Sequence, residues 1–132
     1  MKHANSLYRF VSTAKSWFAA RRTCLIQGAH LADIDDVAEN SFVVMLAGNK
    51  SDGFWIGMND NRAENNFVKS DGSIPQFFNW YGYEPNGKSF ENCVEIIPGE
   101  IDGKKFNGRW NDRSCFEWGA FVCEKSQGNK TY

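Results

Sequence analysis

No stretch of this sequence approaches the roughly 20 apolar residues that a membrane-spanning helix needs, so direct insertion into a bilayer by a helix is not expected. The four cysteines, Cys24, Cys93, Cys115 and Cys123, include no Cys-x-x-Cys pair, which argues against zinc and thioredoxin-like chemistry. The formal net charge is only −1. It announces no basic face, so nucleic acid and anionic membrane are poor partners. There are no internal repeats and no low-complexity linker. No secretory leader is visible: Met1-Lys2-His3 is polar and runs straight into domain-like sequence. The chain therefore reads as having an artificial start or as a domain cut from a longer protein. No Ser-His or Cys-His nucleophile pattern appears, which removes the usual signature of covalent catalysis.

What is present is unusual in its aromatics, 15% of 132 residues, with 5 Trp and 11 Phe. That composition suits short strands and loops better than a helical bundle. A chain of this length is one domain with room for a core. It is taken as a single unit over 1–132, with an ordered part of about 6–126 and His3 disordered. An even number of cysteines in a small, loop-rich chain suggests two disulfides and an oxidising compartment. Composition alone leaves three connectivities open. Two sequons, at Asn49 and Asn129, fit a secreted protein but are short enough to arise by chance.

The chain divides into a helical first part and an irregular second part. Tyr8-Arg9-Phe10-Val11 alternates as a strand. Thr13 is expected to cap a helix of about 13 residues, with Ala14, Trp17, Phe18, Cys24 and Leu25 on its apolar face and Gly28 as the stop. A second helix starts at Asp36, with Glu39 three residues on in capping-box fashion. Its buried face is expected to be Ala38, Phe42, Met45 and Leu46. Phe54-Trp55-Ile56-Gly57-Met58 reads as a core strand. Cys93–Ile97 and Ala120–Glu124 are further strand candidates, and Trp110 lies near another. The order defines an α+β fold. From Asn59 to about Asn92 runs a long loop rich in Asn, Gly, Asp and Ser. A loop of this length is normally functional or disordered, and its aromatics, Phe67, Phe77, Phe78, Trp80, Tyr81 and Tyr83, argue against disorder. The five tryptophans, Trp118 included, are expected to serve as core or loop anchors.

The loop and the segment after it concentrate side-chain oxygens: Glu84-Pro85-Asn86, Glu91-Asn92-Cys93, then Trp110-Asn111-Asp112. Calcium takes six to eight oxygen ligands. Glu84, Asn86, Glu91, Asn111 and Asp112 supply at least five, three of them charged, and no Cys or His sits among them to favour zinc or copper. Pro85 permits a cis peptide bond that would aim the oxygens of Glu84 and Asn86 at one point.

These motifs, with Trp55-Ile56-Gly57-Met58, Asn79-Trp80 and Phe121-Val122-Cys123, resemble in order and spacing a C-type lectin-like domain of the short, four-cysteine form. The resemblance covers essentially the whole chain. It implies two helices, short antiparallel sheets and a long calcium-binding loop, with disulfides Cys24–Cys123 and Cys93–Cys115. In the loop-entropy model such bridges contribute about 4–5 and about 3 kcal/mol respectively. It further implies a secreted or ectodomain protein that binds sugars through calcium. The Glu-Pro-Asn motif implies mannose, fucose, glucose or N-acetylglucosamine, carried by glycoproteins or cell surfaces, rather than galactose. Two vicinal sugar hydroxyls would join the calcium shell, each donating to a carboxylate (Glu84 or Glu91) and accepting from an amide (Asn86 or Asn111). Asp112 would add a carboxylate and a backbone carbonyl. Charge-assisted bonds of this kind are the strong ones, and each hydroxyl uses both its capacities. So shallow a site implies millimolar affinity, about −4 kcal/mol for a monosaccharide, with oligomers needed for avidity.

An auxiliary calcium site is common in the family. Asp60 and Glu64 match two of its ligands, but Gly87 brings no side-chain oxygen and Asn92 stands where Asp is commoner, so the second site is expected to be weak or absent. For Asp60 and Glu64, solvated loop carboxylates are an equal alternative. Lys88, Ser89 and Phe90 are candidates for extended sugar contacts. His30 is taken as structural. Residues 99–107 are longer than the family leads one to expect and should form a protruding hairpin. Two rival readings are a calcium-independent, protein-binding member of the same fold and a glycosidase using Glu84 and Glu91. The second is disfavoured because glycosidase carboxylates face each other across a deep cleft, whereas these are interleaved with Asn. The chain is read as a non-enzyme.

Overall fold

The first and last described strands lie in one sheet. In a computed structural model describing residues 1–63, 65–82, 85 and 92–126, the first long strand, β2 (Ser6–Lys15), pairs antiparallel with the last, β9 (Gly119–Ser126). A short β1 (Lys2–His3) folds back on β2. The ordered structure thus begins before residue 6, and His3, expected to be disordered, stacks on Phe42 with ring centroids 4.9 Å apart. Helix α1 (Trp17–Ile26), strand β3 (His30–Leu31) and helix α2 (Val37–Ala47) follow, then β4 (Phe54–Asn59). After the long loop come β5 (Cys93–Ile97), a hairpin of β6 (Glu100–Ile101) and β7 (Lys104–Lys105), and β8 (Arg109–Arg113). The described strands order as β1-β2-β9-β4-β5-β8, with β3 beside β9, and only β4–β9 is parallel. The architecture is the expected α+β one.

The first helix starts later than its sequence suggested. Strand β2 runs on through Thr13 because its backbone pairs with β9 as far as Lys15↔Gly119. Ser16 is the cap instead, its hydroxyl accepting from the Ala19 amide at 3.1 Å. Long-range pairing outweighs a local capping signal. The helix buries Trp17, Ala20 and Cys24, while Phe18 and Leu25 lie exposed. Helix α2 begins where expected: the Asp36 carboxylate accepts from the Glu39 amide at 2.7 Å. Its inward face is rotated by one residue, however. Val43 and Ala47 are buried, Phe42 and Leu46 pack partly, and Ala38 and Met45 face outward. The rotation turns Glu39 and Asn40 inward, and both have buried partners there: Glu39 accepts from the Tyr8 hydroxyl and Asn40 from the Trp110 indole.

Two apolar clusters fill the interior. One joins Tyr8, Phe54, Ile56, Val94, Ile96 and Trp110 between the sheet and α2. The other gathers Trp17, Leu31, Trp55 and Phe121 around all four cysteines. Disulfides join Cys24 to Cys123 and Cys93 to Cys115, the pairing the resemblance implied. The buried indoles find acceptors, Trp17 on the Ile56 carbonyl and Trp55 on the Lys15 carbonyl, as a buried N–H requires. Trp118 departs from the expected anchoring role: it is 71% exposed.

Candidate functional site

Beyond β4 the chain turns back and Val68 bonds Asn59 in both directions, at 2.8 and 3.0 Å. The described loop then runs along the free edge of β8. Trp110 donates its amide to the Asn79 carbonyl at 2.8 Å, and Tyr81 donates its own to the Trp110 carbonyl at 2.9 Å. The aromatics hold this path: Phe67 packs on Trp80, Phe77 and Trp80 pack edge-on to Trp110, and Tyr81 packs on Phe106. The loop is thereby fastened to the residue preceding Asn111 and Asp112. Of the sequence-predicted site, Glu84, Asn86 and Glu91 lie outside the described residues, as do Glu64, Lys88, Ser89 and Phe90. Asn111, Asp112, Asp60 and Asn92 are described.

Register brings those four to one end of the sheet. Asn59 pairs with Cys93, Cys93 with Arg113, and Val94 with Asp112. Asp60 follows directly, its amide bonded to the Asn92 carbonyl at 2.9 Å. Asp60 and Asp112 are each 2% exposed, so Asp60 is not a solvated loop carboxylate. One Asp60 oxygen, Oδ2, accepts from the Asn65 amide at 2.8 Å. The other, Oδ1, is buried without a hydrogen-bond partner. Burial first, and the Asp112 charge after it, push the Asp60 carboxyl above its ordinary range, while the Asn65 amide acts in the opposite direction. Buried carboxylates that are not fully hydrogen-bonded are otherwise found paired or coordinating metals. The described members of the expected set, Asn111 and Asp112, carry side-chain oxygens, the kind of donor that calcium takes.

Sequence reasoning missed Glu95. It stands opposite Asn111 across β5 and β8. The Asn111 amide nitrogen donates to its Oε2 at 2.9 Å, and Arg113 donates to its Oε1 at 3.0 Å. Arg113 also donates to Glu117 at 2.6 Å and lies over the Trp55 ring. Burial raises the Glu95 carboxyl, against the lowering effect of the Asn111 amide and the Arg113 charge. An ionised carboxylate only accepts hydrogen bonds. Glu95 therefore takes one of the two N–H donors of the Asn111 amide and so fixes the position of its carbonyl oxygen. The available signal was one acidic residue inside the otherwise apolar strand Cys93–Ile97.

Residues 13–125 match the model of the C-type lectin domain, and the chain belongs to that family. Among curated relatives it is 36% identical over 121 residues to the mouse (Mus musculus) C-type mannose receptor 2, covering 90% of this chain and 8% of that one. It is 32% identical over 130 residues to the alpha-N-acetylgalactosamine-specific lectin of Patiria pectinifera, covering 92% and 75%. Among solved structures, the carbohydrate-recognition domain of the mouse scavenger receptor C-type lectin aligns with a TM-score of 0.85 at 25% identity, over 96% of this chain and 93% of that one. A calcium-independent type II antifreeze protein shares the fold at a TM-score of 0.83 and 23% identity, over 96% and 90%. The chain spans a small fraction of the length of the mannose-receptor relatives.

Proposed function

We propose that this domain is an extracellular, non-catalytic lectin that binds mannose-type glycans through calcium, held by Glu84, Asn86, Glu91, Asn111 and Asp112. The observation that supports a cation at this end of the sheet is the buried, half-satisfied Asp60 carboxylate beside Asp112, a candidate ligand of the auxiliary site with Glu64 and Asn92 rather than of the five-residue one. A cation there would offset the repulsion and supply the missing partner. Family membership supports carbohydrate as the ligand, and the orientation of Asn111 by Glu95 supports its role as a carbonyl donor. When bound, calcium would polarise and fix two neighbouring sugar hydroxyls. The chain's own part is to accept hydrogen bonds from those hydroxyls through Glu84 and Glu91, and to donate to them through the Asn86 amide and the second N–H of the Asn111 amide, the first being held by Glu95.

Mannose-type selectivity rests on the Glu-Pro-Asn sequence alone. One relative's name specifies N-acetylgalactosamine, so selectivity needs its own test. The second reading is a calcium-independent binder of protein, and one structural neighbour with this fold is a calcium-independent type II antifreeze protein. The two disulfides favour an oxidising, extracellular setting, and low intrinsic affinity would favour clustering of several copies.

Calorimetric titration of methyl α-mannoside, in calcium and again in EDTA, separates the readings. Heat in calcium alone is expected; heat in neither buffer, from folded protein, would move the function to the second reading. The Glu84→Gln, Asn86→Asp double variant is expected to prefer methyl α-galactoside. Retention of mannose preference by that variant would show that other contacts set selectivity.

A further inference from the structure

After β4 the chain makes a tight turn beside the start of α1. The Lys69 amide donates to the Ser73 carbonyl, and the Gly72 amide to the Lys69 carbonyl, each at 2.9 Å. Between this turn and the first residues of α1 lies an open cleft of about 320 Å³, at the small end of the usual range for small-molecule sites. Phe18 and Val68 give it an apolar wall. The Phe18 ring is held edge-on to Trp17 and against Phe116, with centroids 5.3 and 5.6 Å apart. Asp60, Asn111 and Asp112 do not line this cleft.

Its cations outnumber its carboxylates. Among the described lining residues Arg21, Arg62 and Lys69 stand against Asp71 alone. Lys69 is committed, since it pairs with Asp35 at 3.0 Å. Asp71 is held within the turn, one of its oxygens accepting from the amide and the hydroxyl of Ser73 at 2.9 and 2.6 Å. Arg21 and Arg62 are exposed, and among the described residues neither forms an ion pair or a hydrogen bond. Gly72, at φ +87°, lets the Arg62 guanidinium lie close over the turn: a Cβ there would stand 3.5 Å from both of its terminal nitrogens.

We propose that this cleft binds an organic sulfate or phosphate ester, with the oxyanion on Arg21 and Arg62 and the organic body on Phe18 and Val68. A guanidinium keeps its charge at any physiological pH and presents paired N–H donors that match a tetrahedral oxyanion. Two uncommitted guanidiniums, one from α1 and one from the loop, suit a group with several acceptor oxygens. A bare anion would leave the apolar wall uncovered, and a neutral ligand would leave both guanidiniums without acceptors. An ester answers both. The site needs no calcium and stands apart from the sugar reading above.

The test is calorimetric titration at neutral pH and low salt, in EDTA so that calcium takes no part. The probes are phenyl sulfate, phenyl phosphate, inorganic sulfate, inorganic phosphate and phenol. At least one ester is expected to bind with about millimolar affinity, about tenfold more tightly than its inorganic ion, and to weaken as added salt screens the charges. Phenol should not bind. An Arg21→Gln, Arg62→Gln variant, altered only at exposed positions, should keep the wild-type melting temperature and lose about tenfold or more in ester affinity. Phe18→Ala should lose only the advantage of the ester over the ion. An inorganic ion that binds the wild type as tightly as its ester overturns the organic body and makes the free anion the ligand. Ester binding retained by the double variant, phenol binding as tightly as the esters, or no binding by folded wild-type protein overturns the site. The double variant should titrate calcium and methyl α-mannoside as the wild type does, so the two readings fail separately.

Discussion

At the scale of single residues, the candidate site depends on side chains that would not touch the sugar. Glu95 takes one N–H of the Asn111 amide and so fixes the position of its carbonyl oxygen, and Arg113 holds Glu95 in place. Outer-shell groups of this kind usually matter to metal affinity by a factor of about 10–100. Glu95→Ala is therefore expected to weaken calcium binding by about that factor, measured as the calcium concentration for half-maximal binding or as the loss of calcium-induced thermal stabilisation. Unchanged calcium affinity would show that Asn111 is oriented by other means. The same pairing explains why the acidic residue is tolerated inside a strand: both its oxygens have donors, which offsets the burial of its charge.

At the scale of elements, α2 is bonded to β8 through one amide. Asn40 accepts from the Trp110 indole at 2.7 Å and donates to the Gly108 carbonyl at 3.0 Å. The bonds fix the start of β8, two residues from Asp112, against the helix. Asn40→Ala would leave the buried Trp110 indole N–H without its acceptor, an expensive omission, while the Gly108 carbonyl would keep its bond from the Asn79 amide. Denaturant unfolding should show a loss of about 1–3 kcal/mol at unchanged m-value, since the surface exposed on unfolding is the same. A loss below about 0.5 kcal/mol would mean that water replaces the amide.

Across the whole molecule, a second acidic network lies at the join of β2, β9, β3 and α2. Glu39 accepts from the Tyr8 hydroxyl and, at 2.8 Å, from the Asp35 amide. Glu124 accepts from Ser6 at 2.7 Å and from the Asp33 amide at 3.0 Å. Asp33 accepts from Ser70 and faces His30 at 3.5 Å. Burial is the main reason the carboxyls of Asp33 and Glu39 are raised, outweighing their hydrogen bonds, and the Glu124 charge adds to it. A raised carboxyl binds its proton more tightly in the folded state than in the unfolded chain. Stability is then highest on the acid side and falls as pH rises from the ordinary carboxylate value through the raised folded one. In EDTA the melting temperature is thus expected to rise on mild acidification toward that window, and Glu39→Gln should flatten the trend. In calcium the trend should oppose it, because ligation needs ionised carboxylates. Parallel pH profiles in the two buffers would refute this separation.

Local sequence was enough to specify the α+β order and the Asp36 cap, because capping is decided by residues within a few positions of one another, while the hairpin within 99–107 was expected only from the extra length of that segment against the family. The motif spacing also carried the family and the disulfide pairing through resemblance. The tertiary structure decided what depends on distant partners. Pairing with β9 drew β2 through Thr13 and moved the first cap to Ser16. Partners for Glu39 and Asn40 on β2 and β8 go with the rotation of α2. The role of Glu95 arises from its position across the sheet from Asn111, 16 residues away in sequence. Asp60 could be read as an exposed loop residue until the register of β4, β5 and β8 placed it in the interior beside Asp112. Burial and cross-strand adjacency are properties of the packed chain, and no local window of sequence contains them.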